Sequence, residues 1–184
     1  MIQYSTAKSD IELQQILALQ KENLPDQLSE SEINSQGFVT VSHDFDLLAE
    51  MNSKRPHIIA KSDDEVIGYA LVMLETFKNH IPVLVPMFEQ IKAINYEGVT
   101  MAEIDFFIMG QVCIAKPFRG QGVFKGLFDK MKIEMAPYYQ MIVTEVAIRN
   151  PRSLKAHANV GFKTIKEYRT ENGEEWAIIA WDWK

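Results

Sequence analysis

The sequence predicts a mixed α/β fold: a central mixed, twisted sheet of about seven strands flanked by about four to five helices. Three observations lead there. Strand-like and helix-like segments follow in the order β-α-α-β-β-α-β-α-β-α-β-β, which fits neither a run of hairpins nor strict βαβ alternation. An apolar stretch, Ile104–Ile114, reads as a buried central strand and runs into a glycine turn and an amphipathic helix. Two closing strands flank Asn172-Gly173, a strong short-range hairpin signal.

Each element has a local reason. Gln3–Thr6 reads as a short first strand. Ser9 and Glu12 form a capping box that opens a helix over about residues 10–22, with Leu13, Ile16, Leu17 and Leu24 at helical spacing. Residues 25–36 read as loop and 38–41 as a short extended piece. Phe45, Leu48 and Met51 line one face of a second helix, about residues 44–53. His57–Ala60 and Val66–Leu74 make a hairpin around an acidic turn. Ile81, Leu84, Val85, Phe88 and Ile91 form a helical stripe with Pro82 near its first turn. Gly98 punctuates the chain, and Gly110 inside the central strand implies a bulge or a close backbone approach. The helix after the glycine turn carries Val123, Phe124, Leu127, Phe128 and Met131 and stops before Pro137. Met141–Ile148 is a strand. Asn150 and Pro151 then fit the cap and first position of a helix that Gly161 ends. Phe162–Tyr168 and Glu175–Trp183 close the sheet.

Composition bounds the function. The chain has 47% apolar and 24% charged residues, ordinary for a globular protein. Its length of 184 residues suits a single domain over the whole chain. Apolar runs are too short for a membrane span, and the start lacks the pattern of a secretory signal, so the expected location is cytoplasmic. The net charge of −6 argues against general nucleic-acid binding. Cys113 is the single cysteine, and His43, His57 and His80 lack metal-ligand spacing, so no metal is expected.

The chemistry concentrates in Val112-Cys113-Ile114-Ala115-Lys116-Pro117-Phe118-Arg119-Gly120-Gln121-Gly122-Val123. A strand, a glycine turn and a helix N-terminus together suit a phosphate, because the glycines admit close approach and the helix end presents N–H groups. Lys116, Arg119 and Lys125 add positive charge. The third glycine of a dinucleotide fingerprint and the lysine of a P-loop are both absent. Arg119, Gly120, Gln121 and Gly122 match the [Q/R]-x-x-G-x-[G/A] acyl-CoA loop in part, with Phe124 where the family has a small residue. Asn150 to Phe162, with Ser153, His157 and Gly161, looks like a second signature. The two together, in order and on the expected elements, resemble the GNAT superfamily of acetyl-CoA-dependent N-acyltransferases. They cover about the C-terminal half of the chain.

That resemblance implies an N-acetyltransferase that moves an acetyl group from acetyl-CoA to a primary amine by direct attack on the thioester. It implies acetyl-CoA lying where the strand ending at Ile114 and the strand Met141–Ile148 part. Main chain around Val112, Cys113 and Ile114 would take the pantetheine arm. Backbone N–H groups from Arg119, Gly120, Gln121, Gly122, Val123 and Phe124 would take the pyrophosphate, and Asn150 and Ser153 would touch the pantetheine or nearby ligand groups. His157 stands where the family often has a tyrosine general acid, and Glu103 or Asp105 is placed as general base. The expected acceptor is a small amine or amino acid, with a protein N-terminus as the other option, and the expected assembly a homodimer. The alternative is a catalytically inactive acyl-CoA-binding sensor or partner module. The stripe from Ile81 to Ile91 is expected to be core or dimer packing, or else to wall an acceptor pocket through Met87 and Phe88.

Overall fold

Capping and alternation place most elements where the sequence puts them. A computed structural model describes residues 1–29, 39, 41–81 and 84–184 of the chain. Its strands are β1 (Ile2–Thr6), β2 (Ile58–Ser62), β3 (Glu65–Met73), β4 (Asn95–Tyr96), β5 (Val99–Thr100), β6 (Phe106–Ile114), β7 (Met141–Ala147), β8 (Lys163–Arg169) and β9 (Glu175–Asp182). The α-helices among the described residues are α1 (Asp10–Lys21), α2 (Phe45–Lys54), α3 (Val85–Lys92), α4 (Val123–Met135) and α5 (Pro151–Val160). The strand order is β1-β2-β3-β6-β7-β9-β8, with β4-β5 a separate two-stranded ribbon. Pro82 and Phe38, both used above, lie outside the described residues.

The chain packs as two compact units, residues 1–73 with 109–134 and residues 74–108 with 135–184, so β6 contributes to both. In the first unit, β1, β2 and β3 pair antiparallel, with Tyr4 opposite Ala60 and Ile59 opposite Tyr69. Eight of the nine β3 residues are buried, since the strand is covered on both faces. On one face Leu13, Ile16 and Leu19 of α1 and Leu48 of α2 pack with Ile59, Tyr69, Leu71 and Cys113. On the other lies α4: a Cβ at Gly68 would sit 3.3 Å from Val123, and one at Gly126 would sit 2.1 Å from the Tyr4 ring. Gly126 therefore lets β1 close over α4. Gly110 has a similar use, since a Cβ there would meet Met73 of β3 at 3.4 Å.

In the first unit a buried polar network joins α1, β3 and β6 to Val41 and His43. Gln20 donates to Gln111 at 2.7 Å and to His43 Nδ1 at 2.9 Å, and accepts from the His43 N–H at 2.8 Å. Tyr69 donates to Gln111 at 2.6 Å, and Gln111 donates to the Val41 carbonyl at 2.9 Å. Each residue of the network is thus bonded to another member of it, as a buried polar cluster requires.

In the second unit β7 pairs antiparallel with β9, and β9 with β8. The start of β6 runs parallel to β7, from Phe106 opposite Met141 to Ile108 opposite Val143. Trp181 and Trp183 pack edge-to-face at 5.8 Å, as their shared strand face predicts.

Three expectations change. The helix expected from Ile81 starts at Val85, with Pro86 in its first turn, after a 3-10 segment over Glu75–His80. The Asn172-Gly173 turn has positive φ only at Gly173, and Gly173 N–H bonds to the Thr170 carbonyl, so it is a longer loop ending in a left-handed glycine and not a two-residue turn. The β4–β5 ribbon was not expected; Glu97 and Gly98, with φ of 50° and 88°, make its tight turn, and the Asn95 side chain accepts from Gly98 N–H.

Candidate active site

The glycine loop is built by β6 and α4 of the first unit. Ala115 N–H bonds to the Ile67 carbonyl of β3 at 2.8 Å. A 3-10 turn over Lys116–Phe118 then carries the chain to Arg119. Gly120 and Gly122 have φ of +76° and +81°, where side chains are strained, and a Cβ at either would meet nothing within 4 Å. The space over both is open. The Gly122 carbonyl accepts from Gly126 N–H at 3.1 Å and so opens α4, which has no acid in its first turn. The helix end is thus an electropositive cradle with backbone-only walls, which fits an anionic phosphate group.

The side chains around it are tied to neighbouring groups. Arg119 Nε donates to the Ile114 carbonyl at 2.9 Å and Nη2 to Asn23 Oδ1 at 2.7 Å. The guanidinium ties the loop to β6 and to the end of α1, so the positive charge expected there is held against the scaffold. Gln121 ties back to the Pro117 carbonyl at 2.7 Å. Lys125 pairs with Asp129 one turn on, at 2.5 Å. Phe124 stacks on Phe128 at 4.8 Å between ring centres, packing along its own helix.

Strand alternation sorts the three β6 residues. Ala115 points its N–H to β3, and the Cys113 carbonyl lies 3.3 Å from the Cβ position of Gly68 on β3. Main chain at Val112 and Ile114 therefore faces the opposite edge, and there Arg119 already holds the Ile114 carbonyl. Cys113 turns its main chain the wrong way for a cofactor contact, and its thiol is core: burial pushes it up to about 11 despite nearby Arg119.

The second unit holds the other predicted residues. Asn150 caps α5, accepting from Ser153 N–H at 3.1 Å. His157 is buried, 1% exposed, with its ring edge on Phe162 at 5.0 Å. Its Nδ1 lies 2.8 Å from the Ser153 carbonyl, which only accepts, so Nδ1 carries the proton. Burial lowers its pKa to about 4, with the Ser153 bond opposing. A neutral ring with its single proton given to the backbone has none to donate from Nε2. This geometry argues against His157 as a general acid. Gly161, with φ of +121°, packs under Trp181, whose Nε1 would lie 2.5 Å from a Cβ.

Glu103 and Asp105 precede β6, whereas the loop follows it, and a nine-residue strand is roughly 30 Å long. Both are exposed. Glu103 lines a cleft of about 300 Å3 with Tyr96, Asp182 and Lys184 at the strand-start end. That position argues against either carboxylate as the base. Met87 and Phe88 are buried in α3, so core packing and not a pocket wall describes them.

Sequence reasoning passed over Glu145. It lies on β7 among buried residues, and Tyr168 of β8 donates a short hydrogen bond to its Oε2. Burial raises the Glu145 pKa, and the Tyr168 bond opposes. The available signal was one acid inside Met-Ile-Val-Thr-Glu-Val-Ala. Among the described residues no group of His, Cys, Asp and Glu is arranged to hold a metal, and no helix is long and apolar enough to cross a membrane.

No protein-family model matches the sequence, and no curated protein matches it. Solved structures do. The ribosomal-protein-S18-alanine N-acetyltransferase of Escherichia coli superposes with a TM-score of 0.64 at 12% identity, over 99% of this chain and 94% of its own. The yncA protein of Salmonella typhimurium, solved with its cofactor acetyl-CoA, gives 0.65 at 11% identity, over 100% and 95%. A GNAT-family protein of Desulfovibrio desulfuricans gives 0.62 at 10% identity, over 99% of each chain. At these identities the likeness is one of fold alone: the chain has the fold that these acetyltransferase structures share.

Proposed function

We propose that this chain is an acetyl-CoA-dependent N-acetyltransferase that acylates a primary amine. One observation carries the reading: two positive-φ glycines, Gly120 and Gly122, with open space over both, at the N-terminus of α4. Acetyl-CoA would supply an activated thioester. The N–H groups from Arg119 through Phe124 would bind its pyrophosphate, and main chain at Val112 and Ile114 would bind the pantetheine arm, with the Ile114 N–H placed for the oxyanion. Asn150 and Ser153, at the start of α5, would contact the pantetheine or nearby ligand groups. No metal is needed. Among structural neighbours one acts on a ribosomal-protein alanine and one on spermidine, so both small amines and protein N-termini lie within reach of the fold. A small-molecule amine in the cytoplasm is the acceptor class we favour.

A second reading, an acyl-CoA-binding module without turnover, is favoured by the state of His157. Thermal unfolding with acetyl-CoA, and with adenosine nucleotides as controls, tests cofactor binding. A ligand at about 100 times its Kd stabilises the native state by about 2.7 kcal/mol, several degrees for a chain of this size. A shift with acetyl-CoA and none with nucleotides is expected. No shift at saturating acetyl-CoA overturns both readings. Release of CoA dependent on added amine separates enzyme from module.

A further inference from the structure

Resting on the acetyltransferase reading, we propose that Asn23 is a positioning residue for acetyl-CoA binding. It holds the glycine loop, through Arg119, in the shape that presents the loop's N–H groups. The loop is fixed at both ends. Ala115 N–H bonds to the Ile67 carbonyl of β3 at 2.8 Å, and Val123, 1% exposed, lies against Gly68 of the same strand. Between those points stand Gly120 and Gly122, where a Cβ would meet nothing within 4 Å. Glycines with open space over them gain no side-chain packing, so the path of the chain there depends on its tethers. Two of these close within the loop: Gln121 donates to the Pro117 carbonyl, and Phe118 N–H to the Ala115 carbonyl. Such bonds give the loop its curvature and leave its position against the rest of the unit unset. Arg119 sets that position, because Nη2 reaches Asn23 at 2.7 Å while Nε holds the Ile114 carbonyl at 2.9 Å.

Asn23 is built as a fixed anchor. It is 4% exposed and lies two residues past the end of α1. Its N–H bonds to the Gln20 carbonyl at 3.0 Å, and its own carbonyl accepts from Val39 N–H at 3.1 Å. Its Nδ2 donates to the Leu19 carbonyl at 2.8 Å. The neighbours fix which way the amide points. A carbonyl only accepts and a guanidinium only donates, so Nδ2 must face Leu19 and Oδ1 must face Arg119. The place calls for one donor and one acceptor on a short side chain. A carboxylate would set an oxygen against the Leu19 carbonyl, and an aliphatic side chain would satisfy neither neighbour. A hydrogen bond with one charged partner is among the stronger kinds. A loop held this way does not have to be ordered when the ligand arrives, and that raises affinity. Asn23 acts through Arg119 and is assigned no ligand contact of its own.

The test measures the Kd of acetyl-CoA for the full chain by titration calorimetry. Asn23→Ala removes both side-chain bonds. Asn23→Ser removes Oδ1 but keeps a hydroxyl that can donate back to the Leu19 carbonyl, so it separates the tie to Arg119 from the end of α1. Both are expected to raise the Kd roughly ten-fold, in keeping with the loss of a hydrogen bond to a charged group. The same two changes are then made in an Arg119→Ala background, which leaves the backbone of the loop intact. There each is expected to move the Kd by less than about two-fold, because the partner is already gone. A general loosening of α1 would lower affinity equally in both backgrounds, and that result overturns the proposal. So does a wild-type Kd in both Asn23 variants. Either outcome leaves the acetyltransferase reading intact. Absence of acetyl-CoA binding by the wild-type chain overturns that reading, and this one with it.

Discussion

Gly122 and Gly161 mark the two signature stretches, and the structure uses them in opposite ways. Both have positive φ, +81° and +121°. Over Gly122 a Cβ meets nothing, whereas over Gly161 it meets the Trp181 indole at 2.5 Å. The first stretch is kept open, with Arg119 tied into the scaffold, so that backbone faces open space. The second is packed: Gly161 lies under Trp181, His157 is buried and the Asn150 Oδ1 caps α5. A glycine in a motif reports a backbone conformation; only the neighbours decide whether it reports access or packing.

Three substitutions sharpen that contrast. Gly161→Val should have the largest effect, because strain and overlap with Trp181 add; a loss of about 3–5 kcal/mol is expected in denaturant unfolding. A loss under about 1 kcal/mol would show that the indole moves aside easily. The buried His157 gives the next effect through pH. Its folded pKa is lowered to about 4 from 6.5, so the unfolded chain binds the extra proton. Its contribution is whole above 6.5 and is lost as pH falls toward 4, by roughly 3 kcal/mol. His157→Leu should flatten unfolding stability over that window relative to the wild type. His57, lowered by burial to about 3, leaves a residual slope in both proteins. Equal slopes for the two would mean that His157 does not titrate as its burial demands. Gly122→Val should have the smallest effect on stability, about 1–2 kcal/mol of backbone strain, yet abolish the acetyl-CoA thermal shift. A retained shift would show that the open space at Gly122 is not the cofactor's.

Local sequence rules read the caps well. The Ser9–Glu12 box forms with both hydrogen bonds, and Asn150 and Gly161 bound α5 as expected. The glycine loop was legible because its spacing and its helix are adjacent in the chain. Glu145 and Tyr168 were not, since 23 residues separate them and strand pairing across β9 brings them together. The tie made by Arg119 was hidden for the same reason: its partner Asn23 is 96 residues away.

By itself the sequence determined the order of the main-sheet elements, the caps of α1 and α5 and the phosphate-suited turn, all set by interactions within a few residues. The tertiary structure alone decided which of the chemically able groups keep their protons, which are tied down and which face open space. Those properties depend on burial and on partners distant in the chain, and no local pattern encodes them.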